Sequence, residues 1–106
     1  MTTPPPWLLT MRQLTGTHEV PGAGNNPDIL RWASEIATRY PDMSGYSRQF
    51  TNDSIPWGGL TVGYVMAMSG IRQVFGARAT DKFLWAKAWA SWGERLPKPI
   101  PGAIMI

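Results

Sequence analysis

Apolar residues recur with helical spacing in several stretches of the chain, and the longest uncharged stretch runs from residue 54 to residue 71. Within it Thr61, Tyr64, Val65 and Met68 fall on one helical face, and the opposite face is apolar too. A helix that is apolar nearly all round is buried. The pattern therefore predicts a central buried helix, and Gly70 stands where a glycine commonly ends one.

Two amphipathic helices are predicted before this central one. Apolar residues from Trp7 to Leu14 recur every three or four positions, and Gly16 follows them. The second helix has Asn26 as N-cap and Pro27 at its first position, and Pro41 ends it. Its expected apolar face comprises Ile29, Ala33, Ile36, Ala37 and Tyr40.

The end of the chain predicts a fourth helix and one strand. Thr80 or Asp81 is a candidate N-cap for a helix that Gly93 ends. Residues 103–106 are apolar and predict a β-strand. The expected fold is mainly α, with about four helices and a C-terminal strand, and it looks like the helical half of an α+β domain. Residues 1–6 would be a Pro-rich leader and residues 7–106 a single domain.

The composition excludes several kinds of chemical site but does not identify a function. The 106 residues contain no cysteine, which excludes disulfides, thiolate metal sites and cysteine catalysis. The single histidine, His18, has no cysteine partner, so neither a metal site nor any cofactor is expected. The net charge of +3 comes from scattered basic residues, so nucleic acid is not an expected partner. The six tryptophans fit an aromatic core or, alternatively, a groove on which ligands stack.

The sequence shows no pattern of a signal peptide or of a membrane span. The N-terminal residues have no basic region followed by an apolar one, so no secretory signal peptide is predicted. No apolar stretch approaches the roughly 18 residues that a membrane span needs, so no membrane interaction is expected.

Four short motifs follow one another in a recognisable order. They are GTHEVPGAGNNP at residues 16–27, PW at 56–57, WASWG at 89–93 and PGAI at 101–104. This order resembles a phage and bacterial branch of the NlpC-type, papain-like cell-wall cysteine peptidases, over roughly residues 7–106. Members of that family cleave peptidoglycan stem peptides, commonly between D-Glu and a diamino acid. Their nucleophile is a cysteine at the N-terminus of a central helix, and a histidine from the following sheet is the base.

The resemblance implies a site at the start of the central helix, but one without its nucleophile. The family's cysteine follows Pro-Trp, and here that position is Gly58. The His-bearing strands of the family would follow the PGAI motif, so a C-terminal half or a second chain is expected to complete the sheet. The candidate substrate-binding residues are Tyr46, Asp53, Trp57, Gly58 and Gly59.

Three functions stay open from the sequence. The first is an inactive or truncated relative of a stem-peptide endopeptidase that retains binding to peptidoglycan. The second is a structural or interaction module of a phage tail or secreted assembly, which would pair through the edge of the C-terminal strand. The third, nucleic-acid binding, rests only on basic charge and aromatic content. The expected location is a phage virion or tail, or the bacterial cytoplasm with delivery to the cell wall.

Overall fold

A computed structural model of the chain describes residues 3–22, 24–41, 50–71, 89–90 and 92–104. These residues form three α-helices: α1 (Pro6–Gln13), α2 (Pro27–Arg39) and α3 (Gly58–Met68). Helix α3 packs against both α1 and α2. The prediction of a central helix over this stretch is thus confirmed.

The start and end of each helix follow from local sequence. The Asn26 side chain accepts a hydrogen bond from the Asp28 backbone N–H (2.9 Å), and Pro27 occupies the first turn of α2. Helix α3 ends beside Gly70, whose φ of +77° is left-handed, as the sequence predicts. On the outer face of α2, Arg31 forms ion pairs with Asp28 (2.7 Å) and with Glu35 (3.3 Å).

The core lies between α2 and α3. Ile29, Ala33 and Ile36 are buried, as the periodicity of α2 predicts, and Trp32 is buried beside them. Trp32 is absent from the predicted apolar face, although it lies three residues after Ile29 and four before Ile36. The other buried core residues are Phe50, Leu60, Met66, Ala67 and Trp89.

Tyr64 of α3 packs against α2. Its ring stacks on that of Trp32, with centroids 5.4 Å apart. Burial raises the pKa of the Tyr64 phenol, and a hydrogen bond to the carboxylate of Glu35 raises this pKa further. The polar contact thus lies at the margin of an otherwise apolar interface.

The predicted C-terminal strand is wrong for the part of it that the structure describes. The Ala103 backbone N–H donates to the Ile100 carbonyl (3.0 Å), which closes a turn with Pro101 and Gly102 at its centre. Gly102 has a φ of +92°, so the segment has the Pro-Gly arrangement of a type II turn. Ala103 and Ile104 pair with no other segment among the described residues, so they are not part of a β-sheet.

The four-helix count is also wrong, since the described residues contain only three α-helices. Most of the predicted fourth helix, residues 81–88, lies outside those residues, and Trp89 and Ala90 form a 3₁₀ turn. The expected α+β architecture therefore has no strand to support it in the described part of the chain.

The segment around Gly102 closes onto helix α1. The Trp7 indole Nε1–H donates to the Gly102 carbonyl oxygen (2.8 Å). A Cβ at position 102 would lie 2.5 Å from Cγ of Pro5, so only glycine fits this approach. Residues far apart in sequence thus hold α1 and the Pro101–Gly102 turn together.

Candidate functional site

The N-terminus of α3 is exposed and lacks a cap. Trp57 occupies the N-cap position without a side-chain hydrogen bond to the helix, and the first turn contains no acidic residue. The first backbone hydrogen bond of the helix runs from the Thr61 N–H to the Trp57 carbonyl (2.9 Å). The N–H groups of residues 58–60 therefore precede the helical ladder, at the positive end of the helix dipole.

Gly58 has room for a side chain. The residue is exposed, and a Cβ built on it would have no neighbouring atom within 4 Å. Gly59, by contrast, is buried. A side chain at position 58 would be accommodated at the open end of the helix.

Trp57 is held from two sides. Its indole Nε1–H donates to the Glu19 carboxylate (3.1 Å), and its ring centroid lies 6.0 Å from that of Trp32. The contact with Glu19 links residues 38 positions apart. Because no local pattern indicates such a pairing, Glu19 does not emerge from the sequence as a residue near the site.

Asp53 connects the loop before α2 with the segment that leads into α3. Its side chain is buried, with 1% of its surface exposed. One carboxylate oxygen, Oδ2, accepts from the backbone N–H groups of Val20 and Asn26, both at 2.8 Å. The Asp53 backbone N–H donates in turn to the Asn25 side chain (3.0 Å). We call these four residues the Asp53 latch.

The latch gives Asp53 a positioning role in this conformation. A carboxylate that is buried and bonded to backbone N–H groups does not face a ligand in solvent. Its hydrogen bonds instead hold residues 20–26 against the approach to α3, where Glu19 meets Trp57. Asp53 therefore lies next to the predicted site, but its side chain is buried and does not line the surface where a ligand would bind.

His18 lies on the same loop. The side chain is exposed, and its Nδ1 is 3.0 Å from the Glu19 carbonyl oxygen. The His18 carbonyl accepts a hydrogen bond from the Asn26 side chain (3.0 Å). These contacts are within the loop and give it a defined shape next to Trp57.

The remaining predictions about the site divide into two groups. Asp53, Trp57, Gly58 and Gly59 surround the start of α3, whereas Tyr46 lies outside the described residues. No cluster of three metal-ligating side chains occurs in the part of the chain that the structure describes. None of the described helices is both long enough and apolar enough to cross a membrane.

Comparison with protein-family models, with curated proteins and with solved structures finds no match to this chain. The resemblance to the cell-wall peptidases is therefore carried by the order of the short motifs.

Proposed function

We propose that this chain is a catalytically inactive relative of the peptidoglycan stem-peptide cysteine endopeptidases, and that it binds stem peptides without cleaving them. The observation that carries the proposal is the open, uncapped helix N-terminus at Gly58. Gly58 is exposed, has free space for a side chain and follows the Pro-Trp motif, all of which support the proposal.

The absence of catalysis follows from the residue types. Covalent catalysis needs a nucleophilic side chain that a neighbouring base activates. Gly58 has no side chain, and the sequence contains no cysteine that could replace it. What is left at the site is its capacity to bind.

The charges around Gly58 suit the two kinds of group on a stem peptide. The N–H groups at the start of α3 and the helix dipole attract a carboxylate, such as that of D-Glu. The Glu19 carboxylate lies beside Trp57 and offers an acceptor for the amino group of a diamino acid. Trp57 supplies an aromatic surface between these two positions. Under this proposal the chain acts at the bacterial cell wall, as part of a phage particle or after delivery from the cytoplasm.

The test is an NMR titration of the ¹⁵N-labelled chain with a stem tetrapeptide containing D-Glu and a diamino acid. We expect the amide signals of residues 58–60 to shift, and mass spectrometry to find the peptide intact. The Gly58→Asp variant places a negative charge where the carboxylate would bind, so its affinity should fall at least about tenfold. Gly58→Asn is the matched control, because it adds a side chain of the same size without the charge.

Two results would contradict the proposal. One is a titration in which the amides of residues 58–60 do not move. The other is equal affinity of the wild type and Gly58→Asp, because the carboxylate would then bind elsewhere.

The structural-module alternative loses its main support. It depended on an unpaired edge of the predicted C-terminal strand, and residues 100–103 form a turn instead.

A further inference from the structure

A large groove lies away from Gly58, between α1, the C-terminal half of α3 and the described residues 89–90 and 92–104. Its volume is about 740 Å³, within the range of ordinary ligand sites. Met66 contributes to its floor and lies eight residues after Gly58 in α3, so the two places are separated by about 12 Å of helical rise. The groove is thus a second place on the molecule and not an extension of the first.

Three tryptophans shape this groove. Trp89 is buried at its base, with 2% of its surface exposed, and Trp92 meets it edge-on with centroids 5.1 Å apart. Trp7 lines the groove with its indole N–H already bonded to the Gly102 carbonyl. The half-buried Trp92 makes no indole hydrogen bond to any described residue, so its Nε1–H is an available donor.

The charged residues of the groove are Glu94, Arg95 and Lys98, all exposed. In the described part of the chain neither Arg95 nor Lys98 forms an ion pair. Among the described residues, aromatic surface, an indole donor without a partner and two cations without an ion pair therefore occur together. The combination suits a ring-shaped ligand that carries carboxylates, because rings stack on indoles and carboxylates pair with guanidinium and ammonium groups.

We propose that this groove binds an acidic oligosaccharide, a short glycan with carboxylates on its sugar units. The charge in the groove decides between this ligand and single-stranded nucleic acid. Two cations and one anion give the groove a low net positive charge, which suits a glycan with few carboxylates. A nucleic acid carries a phosphate on every unit and is bound by dense clusters of basic residues.

The test uses the full chain and a hyaluronan tetrasaccharide as the probe, since it alternates charged and neutral sugars. Calorimetry gives the affinity, and the ¹⁵N signal of the Trp92 indole reports the place of binding. The Trp92→Phe variant identifies that signal by its loss. We expect the Trp92 signal to shift with the tetrasaccharide, and to shift less with neutral chitotetraose or the oligonucleotide dT4 at equal concentration.

Paired charge variants test the role of the cations. Arg95→Gln/Lys98→Gln should weaken binding by about tenfold or more, because two charge-assisted contacts are lost. Arg12→Gln/Arg39→Gln removes the same charge from residues that do not line the groove, and its affinity should stay within about twofold of wild type. All four side chains are exposed, so both variants are expected to fold.

Three results would overturn the proposal. The tetrasaccharide does not bind; or dT4 binds more tightly and shifts Trp92, which makes the ligand a nucleic acid; or the Arg12/Arg39 variant weakens as much as the Arg95/Lys98 variant, which indicates general attraction by net charge. The readout is separate from that of the stem-peptide titration. Either site can therefore fail without the other.

Discussion

The two longer helices begin in opposite ways. Helix α2 starts with Asn26 as a hydrogen-bonded N-cap, Pro27 in the first turn and the acidic Asp28 after it. Helix α3 starts after Trp57 with two glycines, no side-chain cap and no acidic residue. The start of α2 has a side-chain cap and an acidic residue, whereas the start of α3 has neither and exposes Gly58 at the positive end of the helix dipole.

This difference identifies which terminus can serve a ligand. A carboxylate that approached α2 would meet Asp28 and an amide that is already bonded. At α3 it would meet the exposed, uncapped backbone of Gly58 and the open space beside it. The two termini are nevertheless linked, because Asp53 accepts from the Asn26 backbone N–H and lies on the segment that leads into α3. The latch therefore supports both helix starts together.

The largest expected effect comes from breaking the latch. Asp53→Ala would leave the backbone N–H groups of Val20 and Asn26 without their acceptor in a buried place. We expect the free energy of unfolding to fall by about 3 kcal/mol, measured by urea denaturation. Asp53→Asn retains one carbonyl acceptor in the same volume and should lose less. Equal stability of Asp53→Ala and wild type would show that the latch does not connect the two loops in solution.

Local signals were enough to predict where α2 and α3 lie. The order Asn26-Pro27-Asp28 favours a helix start, because a short polar side chain caps the free N–H groups and proline has no N–H to leave unpaired. The uncharged stretch before Gly70 predicts a buried helix for a similarly local reason. In both cases the residues that decide the structure are neighbours in the chain.

Contacts between residues far apart in the sequence could not be predicted from such local signals. The Asp53 carboxylate accepts from backbone N–H groups 33 and 27 residues away, so the sequence suggests a functional residue but not a latch. The predicted C-terminal strand is wrong in its described part, residues 103–104, for a related reason. Apolar composition is compatible with a strand, but a strand exists only through pairing with another segment. Instead, residues 100–103 form a turn, and the Gly102 carbonyl accepts a hydrogen bond from the Trp7 indole.

A smaller effect is expected from removing the cap of α2. Asn26→Ala loses the acceptor for the Asp28 N–H and should lower the free energy of unfolding by about 1 kcal/mol. Asn26→Asp is the control, since aspartate caps equally well but cannot donate to the His18 carbonyl as Asn26 does. If both variants lose the same stability, the bond to His18 matters and the cap does not, and the contrast with α3 is weakened.

The smallest expected effect concerns the charge at the start of α3. It tests most directly whether the starts of α2 and α3 differ electrostatically. Gly58→Asp adds a negative charge to an uncapped dipole end where the side chain has space, so it should raise the free energy of unfolding by about 0.5 kcal/mol relative to Gly58→Asn. The difference should shrink in high salt, because exposed charges are screened. Urea denaturation of both variants at low and high salt measures it. If Asp and Asn at position 58 are equally stable at low salt, the two helix starts are electrostatically alike, and the start of α3 has no special attraction for a carboxylate.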